Sequence, residues 1–476
     1  MRFLLLVGIF FSFFLSSNSA LSFHGGYRIE VELQNFEGDT LLLGYYFGKS
    51  QYLKDTAVLE KGKFVFEGND TLKAGVYLLV IPPDNKFVHV LIEEGQTHFS
   101  LSVDLNNIVP SAKFKGSAEN ELYYNYLREI EKRRPLADTL RKQMVIDSNN
   151  KVACQAKLDK LDKEVTQIQD DLKLKHPKSL TTFLIHANRE KPLPEFNDLP
   201  EDERKQKQFE FYKAHYFDNF DLSDERALYS GMIQTKIDYY LQKLSYQYPD
   251  SQSVAMDYLL HKMGPGTQTF QYYLVHFLNE AARSKRMGMD AVYVHLIDNY
   301  YAKGLAPWTE KEQLDKLMGQ AETARPILIG KTAPNLTFFK ESGESVSVHS
   351  LPNEYTVLFF WDPECGHCKK SIPAIIEFYN EYKNKGVEIL AICTKTGQDI
   401  SSCWSTIKER GMDIWVNVSD QYIRNRYKTI YDVKTTPQIY ILDKDKKIIV
   451  KKIAGEDLKT VMDEILKNLA TVAREP

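Results

Sequence analysis

Two cysteines separated by two residues, Cys365-Gly366-His367-Cys368, carry the clearest chemistry in this chain. A thiolate attacks disulfide sulfur, and a second thiol about one helical turn later can close the new bond, so this spacing serves reversible disulfide exchange. With five cysteines in 476 residues, chance supplies only about 0.05 such pairs. The structural alternatives are a static disulfide and half of a zinc site. Zinc wants a second pair of comparable spacing, yet nine residues separate Cys393 from Cys403. Haem attachment needs His directly after the second Cys, where Lys369 stands. In the redox reading Cys365 attacks and Cys368 resolves. Cys393, ending a predicted strand, and Cys403, on the following helical segment, are expected as two buried, unlinked thiols, with an auxiliary redox pair as the alternative. Cys154, alone on a predicted helix, is expected as a structural thiol.

Such a pair needs an element that exposes the first sulfur and stabilises its anion. The apolar run Val357-Leu358-Phe359-Phe360-Trp361 predicts a strand ending just before the motif, and a helix is predicted over 369–385. A strand end followed by a helix start supplies backbone N–H groups and the positive end of the helix dipole. Further strands are predicted at 387–393, 438–442 and 447–452, with helices near 402–410 and from Leu458 onward. This alternation implies an α/β sandwich over 327–476, bounded by Pro326 and Gly330.

Upstream the periodicity changes twice. Over 21–116 it is two, as in Tyr27, Ile29, Val31 and Leu33, and turn signals at 37–39, 61–63, 82–85 and 94–96 suggest an antiparallel β-sandwich. His89 and His98 on these strands are expected as exposed or hydrogen-bonded residues. Over 117–326 the period becomes helical: Leu158, Leu161, Val165, Ile168 and Leu172 form a seam ending at His176-Pro177. Further helical segments are predicted at 209–220, 224–248, 253–263, 269–284 and 290–301. The aromatic group Tyr212, Tyr216, Phe217 and Phe220 is expected as core. The fold class is therefore multidomain: an all-β sandwich, an all-α middle domain and a C-terminal α/β domain.

Composition narrows the setting. The net charge is −3 with no dense Lys/Arg block, which disfavours nucleic acid and acidic membrane surfaces as partners. Met1-Arg2, the apolar stretch Phe3 to Leu15 and the small residues up to Ala20 predict a signal peptide over 1–20, cleaved after Ser19 or Ala20. Thirteen residues fall short of the roughly 20 that a membrane-spanning helix needs. Without a Cys near the cleavage zone, a lipid anchor is not expected either. The cysteines are expected in an oxidising compartment, where a cycling pair needs a source of electrons.

Three motifs carry a family resemblance: Gly330-Lys331-Thr332-Ala333-Pro334, the run from Phe360 through the cysteines to Lys370, and Thr435-Thr436-Pro437-Gln438. Residues 328–470 resemble thioredoxin-fold thiol-disulfide oxidoreductases of the TlpA/ResA-like group. The resemblance implies a thioredoxin fold, a cis-proline at Pro437 facing the cysteines, and substrate contacts through Thr436, Trp361 and Gly366. It also implies that Pro373 kinks the active-site helix. Two positions depart from the pattern. Phe359 stands six residues before Cys365, where many thioredoxins have a buried carboxylate, and Ser371 stands three after Cys368, where some TlpA/ResA-like proteins have Glu. His367 is therefore a candidate for thiolate stabilisation or proton transfer. The peroxiredoxin pattern P-x-x-x-T-x-x-C is absent, Leu358 and Asp362 occupying its first two positions.

The full arrangement, including the segment from Ala214 to Asp224, is similar to envelope thioredoxin-family proteins of the Bacteroidetes type, whose N-terminal domains have unknown function. The expectation is a periplasmic oxidoreductase exchanging Cys365–Cys368 with envelope protein thiols or disulfides, with reduction favoured. It needs no cofactor or metal but requires an upstream electron donor. The alternatives are a polypeptide-binding protein or holdase with a passive disulfide, and a thiol reductant for cytochrome maturation.

Overall fold

The computed structural model describes residues 26–83, 86–146 and 150–472. The expected signal peptide lies outside the described residues. Two compact units emerge: residues up to 192 with 217–220 and 226–234, and the remainder. The helical residues 117–326 are divided between them.

The first unit opens with eight strands: β1 (Tyr27–Gln34), β2 (Thr40–Phe47), β3 (Ser50–Val58), β4 (Phe64–Gly68), β5 (Gly75–Ile81), β6 (Lys86–Ile92), β7 (His98–Asp104) and β8 (Lys113–Lys115). They form two sheets, ordered β4-β1-β7-β8 and β3-β2-β5-β6. Period-two burial puts Ile29, Val31, Phe66 and Leu101 of one sheet against Leu41, Leu43, Leu79 and Val90 of the other in a single core. One pairing differs from the antiparallel expectation. β1 and β7 run parallel, because the chain leaves the first sheet after β4, builds β5 and β6 in the second, and returns beside β1. Two helices, Ala118–Ile146 and Lys151–Lys175, follow, with Leu140, Cys154 and Leu158 buried between them. The Leu158 seam is thus only partly covered.

The stretch predicted as one helix over 224–248 is interrupted. A short 3-10 turn, Glu225–Tyr229, precedes Gly231 at φ +71°, and the helix Ile233–Lys243 starts beyond it. The Tyr46 ring comes within 3.0 Å of where a Cβ on Gly231 would lie, so a larger residue meets both backbone strain and a ring.

The second unit joins helices including Pro249–Met263, Gln268–Arg283, Asp290–Leu296 and Lys311–Ala324 to an α/β region. Seven strands build the latter: β9 (Thr337–Phe339), β10 (Ser345–Ser347), β11 (Tyr355–Trp361), β12 (Val387–Cys393), β13 (Val416–Ser419), β14 (Gln438–Leu442) and β15 (Ile448–Lys451), ordered β10-β9-β13-β12-β11-β14-β15. β11 is buried at every residue because both faces are covered. Val357, Phe359 and Trp361 face the helices Gly366–Tyr382 and Leu458–Val472, while Leu358 and Phe360 meet Phe338, Tyr427 and Tyr431 on the other side. The central strand therefore carries the chain straight from the core to the cysteines.

Candidate active site

Beyond Trp361 a hydrogen-bonded turn delivers the first sulfur. Asp362 accepts the Glu364 N–H at 2.8 Å and the Thr394 hydroxyl at 3.1 Å, while its carbonyl accepts the Cys365 N–H at 3.1 Å. Lys395 bridges Asp362 and Glu364 at 3.6 and 2.6 Å. Cys365 then caps the helix Gly366–Tyr382, its Sγ accepting the Cys368 N–H at 3.3 Å. From across the sheet the Thr436 carbonyl accepts the Cys365 thiol at 3.2 Å, and the Thr436–Pro437 peptide is cis. Prolyl nitrogen carries no N–H, so position 437 offers the sulfur no competing donor.

The two thiols differ in acidity for physical reasons. Burial opposes ionisation of Cys365, and ionising it forfeits the bond to the Thr436 carbonyl. Hydrogen bonds from the Thr436 side chain, from Cys368 and from the His367 backbone outweigh this and hold the thiol below its ordinary value. Cys368 is 0% exposed, and burial pushes it up to about 12. The partly exposed sulfur is thus the more easily ionised, while the buried one holds its proton.

The remaining expected residues divide. Gly366 faces open space, with nothing within 4 Å of where a Cβ would lie. His367 is exposed and lines a cleft of about 400 Å³ with Ser371, Thr435, Pro437, Gln438 and Glu456. Trp361, expected against substrate, is 0% exposed and stacks on Phe359. It can brace the site from beneath but offers substrate no surface, because its strand position points into the core. Pro373 lies inside the active-site helix, where its missing N–H leaves the Lys369 carbonyl without a helical partner.

Sequence reasoning missed two features. Glu456, from the turn before the last helix, accepts hydrogen bonds from the Ser371 hydroxyl. Gly455 permits this approach: a Cβ there would lie 2.8 Å from Ser371 Cβ and 3.0 Å from Ile375. Cys393 and Cys403, expected as separate thiols, are joined in a disulfide. The helix following β12 folds back over the sheet and brings the two Cα atoms to 6.2 Å, within bridging reach. Both sulfurs lie in the core that also contains Cys368.

Comparison with known proteins places this geometry. The AhpC/TSA family matches residues 329–451. The thiol-disulfide oxidoreductase ResA of Bacillus anthracis is 29% identical over 141 residues, covering 30% of this chain and 78% of that protein. ResA of Bacillus subtilis is 25% identical over 138 residues, covering 29% and 73%.

The C-terminal region is a thioredoxin-like thiol-disulfide oxidoreductase domain.

Among solved structures, a domain of a possible thiol-disulfide isomerase from Cytophaga hutchinsonii is 33% identical, covering 31% of this chain and 98% of that one, with a TM-score of 0.29. A thioredoxin-like protein from Bacteroides caccae is 20% identical, covering 58% and 98%, with a TM-score of 0.43. Ahead of the oxidoreductase domain, residues 27–123 and 148–325 match two domains of unknown function, DUF4369 and DUF5106. No helix among the described residues is long and apolar enough to cross a membrane.

Proposed function

We propose that this chain is a periplasmic reductant of protein disulfides in the cell envelope, working through Cys365 and Cys368. The observation that carries the reading is the contrast between the two sulfurs. Cys365, partly exposed, is held below its ordinary pKa, and Cys368, fully buried, is pushed to about 12. The Cys365 thiolate attacks one sulfur of a substrate disulfide, forming a mixed disulfide and expelling a substrate thiolate. Cys368 then loses its proton and attacks Cys365 Sγ, releasing the second substrate thiolate. Two electrons pass to the substrate and the Cys365–Cys368 pair is left oxidised. A dithiol donor upstream must reduce it again.

Thr436 and Gly366 are assigned to substrate contact: the Thr436 carbonyl lies beside Cys365, and Gly366 leaves the approach clear. Two variants test the division of labour. Cys365→Ser abolishes exchange, whereas Cys368→Ser accumulates mixed disulfides that non-reducing mass spectrometry detects. Trapping by the Cys365 variant instead would reverse the roles. A glutathione redox titration decides the direction of flow, since a reductant lies well below the roughly −120 mV of a strong thiol oxidant.

A further inference from the structure

A second cleft, of about 1300 Å³, adjoins the redox cleft, and both are lined by Lys452, Ile453 and Ala454. Its walls come from the helical residues 281–324 and from the oxidoreductase residues 428–457. Lys451 ties these walls together. Its ammonium is buried, pairs with Asp290 and donates to the Ile327 carbonyl at 2.7 Å.

The lining is strongly cationic in a chain whose net charge is −3: seven basic side chains against three carboxylates. Some of that charge is already committed, Lys451 to Asp290, and Lys434 and Lys452 to Asp432. Arg286 donates to the neutral Gln247 side chain at 2.6 Å. Lys285, Lys316 and Lys428 are exposed, and among the described residues none of them forms an ion pair. Uncompensated cations gathered in a concave site focus a positive potential that draws in anionic groups. The volume exceeds the roughly 300–1,000 Å³ of ordinary small-molecule pockets, which suits a length of chain better than a single small anion.

From this we infer that the cleft receives an acidic stretch of the same polypeptide whose disulfide is exchanged at Cys365. The assignment rests on the redox reading above and names its substrate class: proteins with Asp or Glu clustered a few residues from the reactive cysteine. Because the two clefts adjoin at Lys452, Ile453 and Ala454, one extended chain crossing these residues would occupy both.

The test compares disulfide-containing peptides that differ only in flanking Glu, Gln or Lys, using the full chain. The acidic peptide is expected to show a kcat/KM about tenfold above the neutral one at low salt, with the Lys peptide lowest and the differences lost at about 0.5 M salt, where screening is nearly complete. In the Lys285→Glu, Lys316→Glu, Lys428→Glu triple variant the acidic-to-neutral ratio should fall to about one or below. A cysteine-free acidic peptide followed by fluorescence anisotropy gives a readout independent of redox chemistry, and it should bind the unaltered chain and not the variant. Equal reduction of all three peptides without anisotropic binding overturns the cleft assignment and leaves the redox reading intact. Binding without reduction of any peptide sinks the redox reading and keeps the acidic-segment site. Displacement of the bound peptide by micromolar inorganic phosphate would mark a small-anion pocket instead and overturn the proposal.

Discussion

Ser371 donates its hydroxyl to both carboxylate oxygens of Glu456, at 3.0 and 3.1 Å, although the two stand 85 positions apart in the sequence. Ser371 lies one turn beyond Cys368 on the same helix face. A carboxylate therefore reaches this part of the site from the turn preceding the final helix, although the helix itself carries none there. Cys368, with its pKa raised to about 12, would need a proton acceptor in order to attack, and Glu456, one turn away through Ser371, is the candidate that substitution tests.

Glu456→Gln keeps an acceptor for Ser371 but removes the base. Resolution of the mixed disulfide is expected to slow by roughly tenfold to a hundredfold, at or below the usual worth of a general base, with formation of the mixed disulfide little changed. Stopped-flow kinetics separating the two steps would check this, and an unaltered resolution rate would remove Glu456 from the mechanism.

Gly455→Ala forces a methyl group against Ser371 and Ile375. A loss of about 1–3 kcal/mol in urea unfolding is expected for such overpacking, together with the resolution defect of the Glu456 variant because the turn moves outward.

The pH dependence of stability should distinguish the reduced from the oxidised protein. Cys365 is lowered in the folded state, so the unfolded chain holds its proton longer and the reduced form gains stability as pH rises toward the usual thiol value of about 8.5. Cys368 is raised to about 12, so above about 8.5 the unfolded chain sheds a proton that the folded chain keeps, and stability falls. The oxidised protein has neither titration. Unfolding at pH 6 to 11, with the pair reduced or oxidised, should show a difference that peaks between these limits. A flat difference would contradict both assignments.

His367 favours the Cys365 thiolate through its backbone N–H, and its exposed ring is the second candidate for tuning that sulfur. His367→Pro removes both, and is expected to raise the Cys365 pKa and move the potential tens of millivolts more negative, about 30 mV for each tenfold change. His367→Ala keeps the N–H and should shift both quantities less. Equal shifts in the two variants would assign the whole effect to the imidazole.

Replacing Cys393 and Cys403 by Ala removes a link across 10 residues. The cost expected from loop closure is about 2–3 kcal/mol, with exchange at Cys365 retained. Survival of full thermal stability would mean that the bond contributes little beyond packing.

What the sequence made legible was local. The Cys-x-x-Cys pair, the apolar strand before it and the helix after it are contiguous, and β12 and β14 fall where they are predicted. Contacts made by folding back were hidden: Glu456 on Ser371, Cys393 with Cys403, and β7 beside β1. Gly455 was a readable signal in retrospect, a glycine directly before an acidic residue at a predicted helix start, but nothing local says which helix it must approach. Trp361 misled for a related reason. The family resemblance implied contact with substrate, while the two-residue period of β11, shared with Val357 and Phe359, sends it into the core.

Lys451 gives the redox domain a dependence on its neighbours. It stands at the last residue of the AhpC/TSA match, while its partners Asp290 and the Ile327 carbonyl lie before the match begins. An oxidoreductase domain lacking those helices has no counterpart for this ammonium. The domain is thus not an interchangeable cassette: moved onto another carrier, it would meet the new junction with a charge adapted to a partner left behind, so this lysine and its aspartate have reason to be inherited together.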